Sequence, residues 1–588
     1  QNSRRASHTV LVSTQWCHSA AFLSQSIRFV ALVWESFIIM RLLIAFVGAI
    51  TVVVSSVSFN ETEISEEIES AFQCHNNPGL AVSVVKDGKI LLSRGFGVID
   101  LINKTPVTSS TLFGIASLSK SFAATLLVKL LHENTNLTVD SRIRELLGDQ
   151  FQMPDSFRTY ETTFADAMSH RTGIPPNNYI RYDTRLTRET LIKRLHLLQS
   201  PKQFRVKYYY SNIIYGLVTW LAEVIGGESW ENLVTNNLFK PLEMNSSTFA
   251  SVVDFDRPDV AVGYEKRNGT YTKVSPEFSK RWSQLAGSGS LISNADDMTK
   301  WMNFHLYKGQ NLKGQQIMSP EILAEVHKSR FVVPISSDKE IRVPTFPITS
   351  SGEIYAHGFV RGFYRGYEHM SHSGSTQGYR AYISLLPQQK IGVFMALTGE
   401  DNRFIYRLPQ IMYLLDRALG IEPWLNVTSI CTYPEPWTAK PGPSSSPVFD
   451  ANTTFQYAFQ QYEGTYYNNA YGHLQVSYND TLSTLTLMYG WGKWQLLRLA
   501  LQIENGMERF YGEAMEITQL NINLVDFITK VQDGNIIITK VKLTSSDIET
   551  PPIFDKVDIN VNSKNDATNN HIHVYIMSVL LILLFVNL

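Results

Sequence analysis

Between Phe59 and Trp424 the apolar positions recur with two different periods. Leu80–Val85 and Ile90–Ser93 are short apolar runs on either side of Asp87-Gly88, a pair that predicts a tight hairpin. From Ser117 to Leu131 the spacing of Phe122, Leu126, Leu127 and Leu130 predicts a helix. A second helical stripe runs from Ile213 through Leu217 and Leu221 to Ile225 and is ended by Gly226-Gly227. Tyr379–Leu386 and Ile391–Leu397 predict another hairpin around Pro387, followed by a helix over Leu408–Leu419 with Gly420 as its cap. A hairpin first, helices in the middle, and a hairpin plus helix last predict one sheet built from both ends of this region.

Five prolines, at 434, 436, 441, 443 and 447, predict a linker over residues 431–452, since proline continues neither regular ladder. Beyond it, Leu474–Tyr478, Leu485–Met488, Leu520–Ile528 and Ile536–Val541 are short apolar runs punctuated by Gly, Asn-Asp and Asp-Gly. They predict a small all-β domain over 453–558. The region 59–430 is then the larger domain, an α+β unit.

Both ends carry apolar runs of another kind. Met40-Arg41, the run Leu42–Val54 and small residues up to Ser58 match a secretory signal peptide over 40–58, with 1–39 as leader ahead of it and Phe59 as the mature start. In 559–588 a polar stretch, Asn562–His573, precedes the uncharged run Val574–Val586. That order predicts replacement by a glycosylphosphatidylinositol anchor, with a short tail anchor as the other reading. Asn-x-Ser/Thr sequons at Asn60, Asn103, Asn136, Asn245, Asn268, Asn426, Asn452 and Asn479 agree with a secreted or surface-anchored glycoprotein.

Composition narrows the function. With 52 Lys+Arg against 53 Asp+Glu there is no basic excess to displace counterions from nucleic acid, so a nucleic-acid partner is not expected. A 44% hydrophobic chain can build a large core. Three cysteines make neither a disulfide scaffold nor a four-thiolate zinc site, and His571 and His573 have no third ligand spaced nearby. No phosphate-binding loop and no Gly-x-Ser-x-Gly elbow occurs, so neither cofactor nor metal is expected, and the partner is a small-molecule or peptide substrate.

The candidate chemistry lies at Ser117-Leu118-Ser119-Lys120. Ser117 and Lys120 share one face of a helix start, where an amine of lowered pKa can take the serine proton and the helix N-terminus favours developing negative charge. The same spacing at Ser83–Lys86 falls in a strand, and at Ser336–Lys339 in a polar loop. Two further motifs follow in order. Tyr210-Ser211-Asn212 precedes the second helix, where Ser211 is placed to cap. His372-Ser373-Gly374-Ser375 precedes the strand at Tyr379, a polar residue and glycine on an edge that a substrate backbone can approach.

In these three motifs the chain resembles the serine β-lactamase and penicillin-binding-protein family, particularly its class C-like branch. Ser169-His170-Arg171-Thr172-Gly173 and Gly287–Ser293 resemble two supporting stretches of that family, and the resemblance covers about residues 65–420. Tyr462–Tyr466 and Tyr471-Gly472 resemble the accessory domain often fused to such enzymes. The resemblance implies a β-lactamase/transpeptidase-like fold: an antiparallel sheet flanked by helices, a helical subdomain, and a second barrel-like domain. It implies Ser117 as acylated nucleophile, Lys120 and Tyr210 as proton carriers, and Asn212 bonded to the Ser117–Lys120 pair or to a substrate amide. His372, Gly374 and Ser375 would face the substrate, and the N–H groups of Ser117 and Ser375 would hold the oxyanion.

His372 stands where many β-lactamases and D,D-peptidases have lysine, which favours esters, amides or small peptides over antibiotics. His170 reads as a turn-stabilising residue rather than a ligand or base. The alternative function is a non-catalytic extracellular matrix protein that keeps the fold, of the kind known from shell. The family packs its N-terminal helix against its last catalytic-domain helix. Since Cys17 precedes the expected mature start, a Cys74–Cys431 disulfide follows from that resemblance.

Overall fold

Leu80, Val82 and Val84 face one apolar cluster while Ala81 and Val85 face another, so this strand is buried on both faces and its side chains alternate between two cores. That strand, β1 (Gly79–Lys86), turns through Asp87 and Gly88, both with positive φ (50° and 77°), into β2 (Lys89–Gly97). The computed structural model describes residues 58–176, 178–267, 269–333, 350–401, 404–437, 455–481, 483–499, 507–516, 522–544 and 550–557. The signal peptide short of Ser58, the leader, Ser336–Lys339, the sequons at Asn268 and Asn452, most of the linker, and the C-terminal spacer and tail lie outside them.

Six more strands complete an antiparallel sheet: β3 (Phe331–Val332), β4 (Ser350–Tyr355), β5 (Val360–Tyr364), β6 (Tyr367–Thr376), β7 (Tyr379–Leu386) and β8 (Ile391–Thr398). The order is β2-β1-β8-β7-β6-β5-β4-β3, so the first hairpin joins the last strand, Leu80 opposite Leu397. This is the sheet built from both ends that the hydrophobic pattern predicts.

One face packs on α1 (Glu61–His75), together with a C-terminal helix over Arg407–Leu419, through Ile64, Ile68, Val393 and Leu414. Gly420 caps that later helix in the left-handed region, as expected. Cys74 of α1 is disulfide-bonded to Cys431, with Cα atoms 5.8 Å apart. The other face packs on a helix over Ala295–Leu306, whose Trp301 stacks on Phe122 of α2 (Ser119–Asn134), and α2 lies against α3 (Asn212–Gly226) in the helical part of the domain.

The C-terminal part is a closed eight-stranded antiparallel barrel: β9 (Gly464–Asn468), β10 (Gly472–Asn479), β11 (Thr484–Tyr489), β12 (Gly492–Arg498), β13 (Met507–Ala514), β14 (Leu524–Gln532), β15 (Asn535–Thr544) and β16 (Ile553–Val557). Strands pair in chain order and β9 closes on β16, so the barrel leaves no open edge. Side chains such as Tyr462, Trp494, Phe510 and Phe527 fill its interior, and the same apolar cluster runs unbroken from them to Phe122 of α2.

Candidate active site

Ser117 sits in a single 3-10 turn, Ala116–Leu118, directly ahead of α2, so the α-helix begins two residues later than the apolar spacing predicts. The turn is held from behind, where Ile115 N–H donates to Leu291 O at 3.0 Å and Leu118 N–H to Ile115 O at 3.2 Å. Ala116 has φ 47°, a left-handed conformation that a residue with a Cβ adopts at a cost of about 1–3 kcal/mol. Over Thr111–Val128 every residue except Ser117 is buried, so the sequence brings one hydroxyl to the surface of an otherwise closed segment.

Lys120 is fully buried beneath it. Its Nζ lies 3.1 Å from Ser117 Oγ, 2.7 Å from Asn212 Oδ1 and 2.8 Å from Ser288 O. Burial holds the amine well below the range of an ordinary lysine. A neutral amine has two N–H groups and one lone pair. The amide oxygen and the carbonyl can only accept, so they take the two hydrogens and the lone pair is left for Ser117 O–H. The contact at Ser288 explains the Gly287–Ser293 motif, because the short turn Ala286–Gly289 presents that carbonyl to Lys120.

Tyr210 hydrogen-bonds Ser117, and its ring centroid is 4.6 Å from Lys120 Nζ. Burial pushes the Tyr210 phenol above its ordinary value, so it keeps its proton at neutral pH. His170 holds the loop that carries it: its Nδ1 accepts from Ser211 N–H at 3.1 Å, and its ring packs 4.4 Å from that of Tyr210. This is the turn-stabilising part expected of His170. Ser211 precedes α3 but does not cap it. Its hydroxyl donates instead to Pro175 O at 3.1 Å, a carbonyl with a stronger claim on a buried O–H than the helix end. Asn212 opens α3, and its Nδ2 donates to Asn178 Oδ1 at 3.1 Å.

The third motif lies along β6. Contrary to the edge-strand expectation, β6 is interior to the sheet, with β5 and β7 on either side. However, β5 ends opposite Ser371, so His372–Thr376 runs past it with no strand on that side among the described residues. Gly374 lies against the serine turn; a Cβ there would meet Ile115 O at 2.3 Å. Arg407, fully buried and paired with Asp401, donates to Gly374 O and to Ala381 O on β7. In a trans peptide the carbonyl and the next N–H point in opposite directions. Anchoring Gly374 O toward β7 therefore aims Ser375 N–H away from β7.

His372 Nδ1 is 2.7 Å from Ser373 O and so carries a hydrogen, while its Nε2 is 2.9 Å from Tyr355 Oη. Burial above all pulls the imidazole down to about 3, so it is neutral and Nε2 accepts from Tyr355 O–H.

Ser117, Lys120, Tyr210 and Asn212 are thus in direct contact, the Tyr210 and His372 rings lie 6.4 Å apart, and Gly374 borders the serine turn with Ser375 next to it. Asn178, Ser288, Tyr355 and Arg407 join them without a signal of their own in the sequence, apart from the glycine-rich stretch around Ser288.

The site so defined is a serine hydroxyl on a buried amine at the start of α2, beside the uncovered end of an antiparallel strand. Residues 66–413 match the family described as Beta-lactamase, and the chain belongs to that family. Gigasin-6 of Magallana gigas is 35% identical over 243 residues, 41% of this chain and 80% of that protein. Unguisins hydrolase ungD of Aspergillus violaceofuscus is 26% identical over 380 residues, 61% of this chain and 65% of that protein. Among solved structures, the octameric penicillin-binding protein homologue from Pyrococcus abyssi superposes with a TM-score of 0.51 at 20% identity, over 84% of this chain and 99% of that one. That share exceeds what residues 59–430 alone could supply, so the common fold includes the barrel.

Proposed function

We propose that the protein is a serine hydrolase that takes a small ester, amide or short peptide through an acyl intermediate on Ser117. The observation that carries this reading is the set of contacts at Lys120 Nζ: two acceptors consume its hydrogens and Ser117 Oγ, 3.1 Å away, faces its lone pair. As Oγ bonds to the substrate carbonyl carbon, the serine proton passes to Lys120 and the carbonyl oxygen becomes an oxyanion bound by the N–H groups of Ser117 and Ser375. Collapse breaks the bond to the leaving group, which takes the proton of Tyr210, and Lys120 returns a proton to Tyr210. Water then attacks the acyl-serine by the reverse route. A depressed amine and an elevated phenol in contact with one hydroxyl form the separated base and acid this chemistry needs. The groups in hydrogen-bond contact with the Lys120 amine are all uncharged, an arrangement that costs stability and that a mere scaffold has no use for.

The same reading places the mature chain, from about Phe59, in the secretory pathway or on the outer face of the plasma membrane, with 59–430 catalytic, 453–558 accessory and 559–588 exchanged for a lipid anchor. The Cys74–Cys431 disulfide supports an oxidising compartment. Asn60, Asn103, Asn136, Asn245 and Asn426 are exposed and Asn479 half-buried, so all six are within reach of glycosylation. Hydrolysis of a p-nitrophenyl ester and of a D-amino-acid peptide by wild type and Ser117→Ala tests the activity. Equal rates for the two proteins on both substrates would return the matrix-protein reading to first place.

A further inference from the structure

Asn178–Tyr182 is a single 3-10 turn, and three of its residues point to three different places. Asn178 accepts from Asn212, whose own oxygen accepts from Lys120. Arg181 has its guanidinium 4.0 Å over the ring of Trp282, and Trp282 Nε1 donates to Thr376 Oγ1 at 2.8 Å, one residue past Ser375. Tyr182 is fully buried, and what covers it belongs to the barrel.

Trp491, in the turn between β11 and β12, stacks on Tyr182 with centroids 4.4 Å apart and planes 10° from parallel. Phe278 meets the other side of Trp491 edge-on at 4.3 Å. Gly490 beside it has φ +58°, and a Cβ there would lie 1.6 Å from Tyr182 O, so the barrel turn closes on the backbone of the catalytic domain with no room for a methyl group. The contact continues at Asp183, whose carboxylate a Cβ on Gly472 of the barrel would meet at 2.4 Å, and at Arg194, which donates to Ala470 O at 3.5 Å.

A turn this short has little stability of its own, because it fixes several backbone dihedrals for very few internal hydrogen bonds. Its position must come from what packs on it. On the Tyr182 side that is a stacked aromatic pair, Tyr182 buried and Trp491 half-buried, worth about 0.5–1.5 kcal/mol beyond its area. The geometry points to the barrel as a positioning part of the active site: the Gly490-Trp491-Gly492 turn clamps Tyr182, and through that turn sets Asn178 against Asn212 and Trp282 against Thr376. Trp491 is a positioning residue with no contact to substrate. The kinetic readout rests on the hydrolase reading above; the mechanical one does not.

The test uses the full chain as wild type, Trp491→Ala, Trp491→Phe, Asn178→Ala and the Trp491→Ala/Asn178→Ala double variant. Hydrogen–deuterium exchange comes first. Trp491→Ala should speed exchange at 178–182 and 210–213, and Trp491→Phe, which keeps a stacking plane, should restore it. Faster exchange confined to 489–493 overturns the clamp whether or not the protein hydrolyses anything. The second measurement is the rate of Ser117 labelling by a fluorophosphonate. Trp491→Ala should slow it about 10–100-fold, the scale of a misplacement near 1 Å, with Trp491→Phe near wild type. In the Asn178→Ala background the same change should cost much less, because both act through one contact. Strictly additive losses overturn the route through Asn178. If wild type is not labelled at all, the hydrolase reading falls and the exchange data alone decide the clamp. Trp491→Leu replaces Trp491→Ala in every arm if the alanine variant does not fold.

Discussion

Tyr355 Oη donates to His372 Nε2 at 2.9 Å, and this bond settles what the third motif presents to a substrate. With Nδ1–H on Ser373 O and Nε2 occupied by Tyr355, the imidazole is neutral and both its nitrogens are spent. His372 therefore offers a substrate carboxylate no positive charge. His372→Lys should raise kcat/KM for substrates ending in a carboxylate relative to their amides while leaving fluorophosphonate labelling largely intact. Tyr355→Phe removes the donor and strands a buried acceptor, at a cost of about 1–3 kcal/mol in thermal stability. An unchanged carboxylate-to-amide ratio in His372→Lys would show that the motif does not read the substrate's end.

Lys120 makes a pH dependence of known sign. Its folded pKa lies well below that of an unfolded lysine, about 10.4. Between the two values the unfolded chain binds the extra proton, so this side chain penalises the fold at low pH and the penalty lifts as pH rises toward the unfolded value. The stability of wild type relative to Lys120→Met should accordingly increase with pH in thermal melts, and labelling of Ser117 should rise with pH through the folded value. Parallel melting curves for the two proteins would contradict the depressed amine.

Tyr210→Phe keeps the ring beside Lys120 and loses the proton that the proposed mechanism passes to the leaving group. Turnover of a p-nitrophenyl ester should fall by about 10²–10⁴-fold, the usual scale for a positioned acid or base. A poor leaving group such as an amide should suffer more than the activated ester, and equal losses on both would put the phenol elsewhere in the mechanism.

Several histidines are buried and held neutral. Burial pulls His357 to about 3 and His327 and His369 to about 4, and His305, 2.8 Å from His327, is lowered too. Each is depressed below the unfolded value of about 6.5, so the stability it contributes is present above that pH and lost as pH falls toward 3–4. The melting temperature should drop steadily below about pH 6.5; a flat profile down to pH 4.5 would refute the shifts.

The Cys74–Cys431 bond closes a loop with a sequence separation of 357. Chain-entropy arguments put its upper contribution at about 4–5 kcal/mol, so Cys431→Ser should lower the melting temperature measurably. Mass spectrometry finding two free thiols in the wild type would remove the bond altogether.

What the sequence made legible was local or carried by motif: the Asp87-Gly88 hairpin, the Gly420 cap, and the residues Ser117, Lys120, Tyr210, Asn212, His372, Gly374 and Ser375. What escaped it was created by register and long-range packing. Tyr355 reaches His372 because β4 and β6 both flank β5, and a lone tyrosine on an apolar strand gives no hint of that. Arg407 looks like an ordinary basic residue at a helix start until the fold buries its guanidinium behind Gly374. Ser211 matches the pattern of a helix cap, yet a nearby carbonyl outcompetes the helix for its hydroxyl. Local propensity names the parts, and tertiary context decides which partner each one takes.

The pairing of Leu80 with Leu397 imposes an order in time. The first hairpin to leave the ribosome lacks its neighbour until the last strand of the sheet has been made, so β1 must wait with one edge uncovered. The strand bearing His372 and Gly374 emerges just before that partner, and Trp491 later still. During synthesis Ser117 therefore leaves the ribosome long before His372, Arg407 and Trp491, and a nascent chain carries that hydroxyl without the residues that come to surround it.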